Sequence, residues 1–263
     1  MGLFVGVISA LAGIGGGVIM VPFLYLIYSR TSASLTAQTV VAHATSLGVA
    51  FVASVIGIRK YAKSDAIAWR TALTYGIPGV VSSFVTARLV SQSEEAEWVR
   101  AAFGAFLLIS AADMARRALT HREFSEPRVA HASSPRLLVV IGLLGGAMTS
   151  MLGIGGGLIA VPALLYIARL PIRTVAPTSL ASVGMATLAG MVGYLSAPNG
   201  PALSQAMVGW VDLRMALPLA LGAACTVPVG VYLNRSSKPG TLLWFFSLLL
   251  AGIGARLVWQ ALG

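Results

Sequence analysis

Two stretches decide the fold of this 263-residue chain: GIGGGVIMVP, residues Gly13–Pro22, and GIGGGLIAVP, residues Gly153–Pro162. Each stretch lies within a long apolar run, and the second begins 140 residues after the first. Glycine in a helix interior costs roughly 1 kcal/mol relative to alanine, so four glycines in five positions should interrupt a helix. The sequence therefore predicts two broken helices at matching places in the chain.

The composition indicates which solvent surrounds these helices. Hydrophobic residues make up 57% of the chain and charged residues 10%, whereas a soluble domain contains about 25% charged residues. A helix of about 20 apolar residues spans the bilayer core. The sequence thus predicts an all-α polytopic membrane protein. Its apolar segments, eight in total, lie near residues 2–28, 38–58, 66–90, 97–115, 136–168, 174–196, 206–233 and 240–262.

The two halves of the chain resemble each other beyond the glycine stretches. Three further pairs of similar stretches follow in the same order: ATSL at Ala44 with PTSL at Pro177, AWRTAL at Ala68 with DLRMAL at Asp212, and LISAADMAR at Leu108 with LLAGIGAR near residue 249. This order predicts an internal duplication of four apolar segments. The predicted units are a first repeat at 1–118, a polar cytoplasmic linker at 119–135 and a second repeat at 136–263.

The distribution of basic residues favours one topology. If the first and fifth segments each enter and leave the membrane on the same side, thirteen of the 18 Lys and Arg residues share one side. If every segment crosses once, eleven do. Cytoplasmic loops carry an excess of Lys and Arg, so the first arrangement is preferred. It leaves three crossings in each half, which predicts inverted repeats, with the 59–70 loop and the linker in the cytoplasm.

The glycine stretches are also candidate binding sites. About ten apolar residues flank each stretch on either side, so each half-helix spans about 15 Å and the break falls near the bilayer midplane. The helix that begins after the glycines presents unpaired N–H groups and its positive dipole end, which suits an anion. Tight helix packing by small residues is the alternative explanation. The candidate binding residues are Gly15, Gly16, Gly17, Gly155, Gly156 and Gly157.

Matched hydroxyl residues follow each glycine stretch by one segment. They are Thr45 and Ser46 in the first half and Thr178 and Ser179 in the second, and we expect them to donate hydrogen bonds to the same anion. Their alternative role is bonding to carbonyls of their own helices. Two further matched hydroxyls, Ser9 and Thr149, directly precede the glycines and could add donors.

His43 has no counterpart in the second half, where Ala176 stands. A single histidine in an apolar segment is often packed and neutral, but an ionisable group inside a membrane is a candidate functional residue. His43 is therefore a further candidate for the substrate site, either as a carrier of a coupling proton or as a group that recognises the anion.

These motifs resemble those of the TauE/SafE family, the sulfite and organosulfonate exporter-like permeases. The resemblance rests on the duplicated G-x-G-G-G stretch with its Val-Pro, on the two TSL segments and on the number of apolar runs, and it covers the whole chain. It implies a multi-pass protein of the inner membrane that carries sulfite, an organosulfonate or a similar small anion by secondary transport. Alternating access, a coupling proton or other ion and a homodimer are further expectations.

Other classes of function are less compatible with the sequence. A passive anion channel, or a carrier of a different small organic anion, would use the same glycine breaks. An intramembrane enzyme would need a motif such as H-E-x-x-H or G-x-S-x-G, and the sequence contains neither. The net charge of +10 comes from short loops between apolar runs, which does not suggest nucleic-acid binding. We expect no enzymatic activity, no cofactor and no metal.

Overall fold

The computed structural model describes residues 1–31, 34–63, 66–91, 135–198 and 206–262, together with 105, 107–113, 115–116 and 119. Within these residues, five helices are long and apolar enough to cross a membrane. The described helices are α1 (Gly2–Ala12), α2 (Gly17–Tyr28), α3 (Leu35–Ala62), α4 (Trp69–Val90), α5 (Pro135–Leu152), α6 (Gly157–Pro162), α7 (Ile172–Leu195), α8 (Leu213–Ser236) and α9 (Pro239–Leu262).

The long apolar helices are α3, α4, α5, α7 and α8, and they agree with an all-α membrane protein. Two small elements depart from that description. Strands β1 (Met207–Val208) and β2 (Val211–Asp212) pair antiparallel just before α8. A π-helical turn, Ala163–Ile167, continues α6. The predicted segment at 97–115 and the linker at 119–135 lie largely outside the described residues.

The predicted helix interruptions are confirmed. The first break, Gly13–Gly16, separates α1 from α2, and the second break, Gly153–Gly156, separates α5 from α6. Three glycines in each break have φ between 63° and 87°. Residues with a side chain rarely adopt this left-handed conformation, which explains why glycine is required there. The left-handed glycines are Gly13, Gly15, Gly16, Gly153, Gly155 and Gly156.

Each break turns the chain back on itself. Near the end of α5, the carbonyl oxygen of Ser150 accepts a hydrogen bond of 2.8 Å from the hydroxyl of Tyr194, at the end of α7. Residues 157–167 then lead to Ile172, where α7 begins. Because Tyr194 and Ile172 lie at the two ends of α7, the chain after the break runs to the opposite end of the molecule. In the first half, Tyr61 at the end of α3 donates to the carbonyl of Ala10 at 2.8 Å, after which α2 leads to the start of α3.

Helices α3 and α7 form the centre of the molecule and run antiparallel. Gly57, near the end of α3, lies against Leu180 in the first half of α7, whereas Gly48 lies against Met191 near the end of α7. Helix α4 packs on α5 and α7, and α8 packs on α1 and α3. The central pair is therefore enclosed by one long helix from each half.

Helices α4 and α8 each expose an apolar stripe with a spacing of four residues. One face of an α-helix repeats at this spacing, and an exposed apolar face on a membrane helix is suited to contact with lipid. The stripe of α4 consists of Leu73, Ile77, Val81, Val85 and Leu89, and that of α8 of Leu217, Leu221, Cys225, Val229 and Leu233.

Basic residues concentrate at the end of the molecule where α3 ends and α7 begins, here called the basic end. The guanidinium of Arg235 donates to the carbonyl of Lys60 at 2.8 Å, which brings the end of α8 to this end. The described basic residues at the basic end include Arg59, Lys60, Lys63, Arg70, Arg136, Arg169, Arg173, Arg235 and Lys238, and those at the opposite end include Arg30, Arg88 and Arg214.

Candidate functional site

The two breaks meet between the middles of α3 and α7. A Cβ atom placed on Gly15 would lie 3.7 Å from the Cα of Gly155, 3.5 Å from the Cβ of Ala50 on α3 and 2.9 Å from a methyl carbon of Val183 on α7. The backbones touch on either side of this point as well. A Cβ on Gly17 would lie 2.7 Å from the Cα of Ile154. Glycine is therefore needed both for the left-handed turns and for this close approach.

Ser46 and Ser179 hold the two breaks in a crosswise arrangement. The hydroxyl of Ser46 lies 2.5 Å from the carbonyl oxygen of Gly153, and the hydroxyl of Ser179 lies 2.7 Å from that of Gly13. Ser46 is also 2.8 Å from the carbonyl of His43 on its own helix. Both serines are fully buried. Each hydroxyl therefore lies within hydrogen-bond distance of the first carbonyl of the opposite break.

Thr45 and Thr178 have a different environment from the serines that follow them. The hydroxyl oxygen of Thr45 accepts a 3.0 Å hydrogen bond from the backbone N–H of Asp212, directly before α8. That of Thr178 accepts a 3.0 Å bond from the N–H of Ala68, directly before α4. The serines therefore contact the breaks, whereas the threonines contact the residues directly before α8 and α4.

His43 lies beside the second break, where it is 2% exposed. Its Nε2 atom is 2.7 Å from the hydroxyl of Tyr25 on α2. A Cβ on Gly153 would lie 2.5 Å from the Cα of His43. Ala176 occupies the matching place against Gly13 in the other half. The only ionisable member of the predicted site is thus in direct contact with a break.

Sequence analysis missed three polar residues near the end of α2. Tyr25 contacts His43, and the hydroxyl of Tyr28 donates to Oδ2 of Asp212 at 3.1 Å. Asp212 is 2% exposed, and its Oδ1 accepts from the N–H of Arg214 as the N-cap of α8. The three-residue spacing of the tyrosines, which puts both on one helix face, was the available signal.

The counterpart positions carry no such polar side chains: Leu165 and Ala168 in the second half match the two tyrosines, and Ala68 in the first half matches Asp212. The polar attachment of α2 therefore distinguishes the two halves. Within the described ranges, no three His, Cys, Asp or Glu side chains come together in a way that could hold a metal ion.

Comparison with known proteins assigns the chain to a family. The profile of the sulfite exporter TauE/SafE family matches residues 1–257. The chain belongs to this family. No solved structure matches it.

Several relatives are described as probable membrane transporter proteins. One from Methanocaldococcus jannaschii is 27% identical over 97% of this chain and 91% of its own length. Another, YunE of Bacillus subtilis, is 23% identical over 100% of this chain and 96% of its own. A third, from Xylella fastidiosa, is 23% identical over 99% and 93%. This family is one of multi-pass membrane transporters, a role that is not enzymatic.

Proposed function

We propose that this protein is a secondary transporter that carries a small anion, such as sulfite or an organosulfonate, across the inner membrane by alternating access. The observation that carries the proposal is the meeting of two glycine breaks between the middles of α3 and α7. Irregular backbone at membrane depth is tolerated where it is buried in protein or lines a cavity. In transporters, such breaks commonly form the substrate site.

An inverted duplication supports alternating access, and matched contacts support the duplication. Each of three hydrogen bonds recurs between counterpart residues of the two halves. Helices α3 and α7, which are counterparts, run antiparallel, as inverted repeats require. The matched bonds are Ser46 to Gly153 with Ser179 to Gly13, Tyr61 to Ala10 with Tyr194 to Ser150, and Asp212 to Thr45 with Ala68 to Thr178.

The contacts suggest how an anion would be admitted. Because the two breaks touch, an anion can enter between them only when they separate. Separation would release the carbonyls of Gly13 and Gly153 from the hydroxyls of Ser179 and Ser46. The same two hydroxyls would then donate to the anion. Each buried hydroxyl would thus have an acceptor in both states, a carbonyl when the breaks touch and the anion when they separate. On this proposal the glycines, the serines and His43 act together in the substrate site.

Uptake into proteoliposomes tests the proposal. Purified protein is reconstituted, and uptake of sulfite, sulfoacetate, taurine, sulfate and chloride is compared with that of protein-free vesicles. We expect saturable uptake of sulfite or an organosulfonate. Saturable uptake of a different anion alone would replace the substrate assignment. A non-saturating chloride conductance would indicate a channel, and the absence of any uptake would contradict anion transport.

A further inference from the structure

Ser9 is a fully buried residue in the last turn of α1, directly before the first break. Its hydroxyl has no hydrogen-bond partner within the part of the chain that the structure describes. A buried hydroxyl without a partner costs free energy, so such groups are rare and need an explanation.

The matching residue of the second half does not share this property. Thr149 is also fully buried, but its hydroxyl donates to the carbonyl of Gly145 in the preceding turn at 2.7 Å. Ser9 could make the same bond to Val5 but does not. The two halves, which agree in so many contacts, therefore differ here.

Ser9 lies beside the N-terminus of α2, a helix of 12 residues. A Cβ on Gly16, the residue that caps α2, would lie 3.4 Å from the Cβ of Ser9. The N–H of Gly17, the first residue of α2, donates to no backbone carbonyl among the residues described. In the second half, by contrast, the N–H of Gly157 donates to the carbonyl of Gly155 at 2.8 Å. Two donors thus remain available at the first break, and their counterparts at the second are already used.

We propose that Ser9 is a substrate-binding residue and that the first break is the principal anion site. An oxygen of the anion accepts hydrogen bonds from the Ser9 hydroxyl and the Gly17 N–H, at the positive end of the α2 dipole. This assignment rests on the proposed function. It adds that the site is asymmetric, with the donors of the first break binding an oxygen of the anion.

The test compares Ser9→Ala with Thr149→Val, which removes the matching hydroxyl of the second half. Sulfite and sulfoacetate affinities are measured by calorimetry on the full-length protein, and KM by proteoliposome uptake. Loss of a hydrogen bond to a charged ligand should weaken binding by Ser9→Ala about tenfold to a hundredfold. Thr149→Val should leave the affinity within about twofold, because its hydroxyl already bonds to its own helix.

Thermal unfolding without ligand supplies a second measurement. Because Ser9→Ala removes a buried hydroxyl that has no partner, it should keep or raise the melting temperature while it reduces the stabilisation by sulfite. A lower melting temperature in ligand-free protein would show a structural role and overturn the assignment.

The affinity results separate this inference from the proposed function. Unchanged affinity in Ser9→Ala, or equal losses in both variants, would overturn the role of Ser9 even if the parent protein transports sulfite. If the parent neither binds nor transports any of the anions, the proposed function fails and this assignment fails with it.

Discussion

At the scale of single residues, Ser46 and Ser179 connect the two halves of the protein. Each donates to a carbonyl more than 100 positions away in sequence, at the first residue of the opposite break. Sequence analysis predicted that these serines and their threonine neighbours would act as one set of anion donors. The structure separates them, because the neighbouring Thr45 and Thr178 accept bonds from the starts of α8 and α4.

We predict that Ser46→Ala and Ser179→Ala destabilise the protein to a similar extent. Each leaves a buried carbonyl without its donor, which costs about 1–3 kcal/mol. Thermal or denaturant unfolding in detergent measures the effect. Ser54→Ala is the matched control, since Ser54 is equally buried on α3 but its hydroxyl has no partner in the described structure. If Ser54→Ala destabilised the protein as much as Ser46→Ala, loss of the crosswise hydrogen bonds would not explain the destabilisation.

His43 gives a second prediction at this scale. If it carries a coupling proton, His43→Gln should keep substrate binding but lose the pH dependence of uptake, because glutamine cannot take up or release that proton. Tyr25→Phe is the control, because it removes the 2.7 Å contact with Nε2 but keeps the imidazole. An unchanged pH profile in His43→Gln, measured by proteoliposome uptake, would rule out this role.

At the scale of elements, the breaks were predictable because glycine content has a direct conformational meaning. A stretch with four glycines in five positions disfavours an α-helix, and three of the four glycines adopt φ values that other residues avoid. The apolar lengths of α3, α4, α7 and α8 were similarly visible in the sequence. The contact of Tyr28 with Asp212 was not, because it joins residues 184 positions apart through a packing that no local pattern encodes.

We predict that Gly17→Ala and Gly157→Ala both impair transport. A methyl group on Gly17 would meet the second break at Ile154, and one on Gly157 would meet the carbonyl of Gly13 at 2.6 Å. The two breaks would have to move apart, which should lower both stability and the rate of sulfite uptake. Gly252→Ala in α9 is the control, since no atom of the described residues lies within 4 Å of its added methyl. Normal uptake by both break variants at equal expression would show that close contact between the breaks is dispensable.

At the scale of the whole molecule, the arrangement of basic residues predicts how the protein lies in the membrane. The basic end should face the cytoplasm, because the positive-inside bias applies to short loops such as those beside α3 and α8. The sequence predicts this orientation if the first and fifth segments are each assumed to enter and leave the membrane on the same side. The hairpin paths of α1–α2 and α5–α6 agree with that choice.

Cysteine labelling tests this orientation. Ser236 is exposed at the basic end and Ser29 at the opposite end. Because Cys225 is itself exposed, each site is replaced by cysteine in a Cys225→Ala background. In intact cells, an impermeant thiol reagent should label Ser29→Cys and should label Ser236→Cys only after permeabilisation. The reverse pattern would invert the topology.

The central claim is that the two halves alternate access to a site between the glycine breaks, and counterflow tests it most directly. Proteoliposomes loaded with unlabelled sulfite are diluted into a trace of radiolabelled sulfite, and internal label is followed with time. An alternating-access carrier should accumulate label transiently above its external concentration, because inward label exchanges for outward substrate. Label that only equilibrates, with no transient excess and no dependence on internal sulfite, would contradict the account.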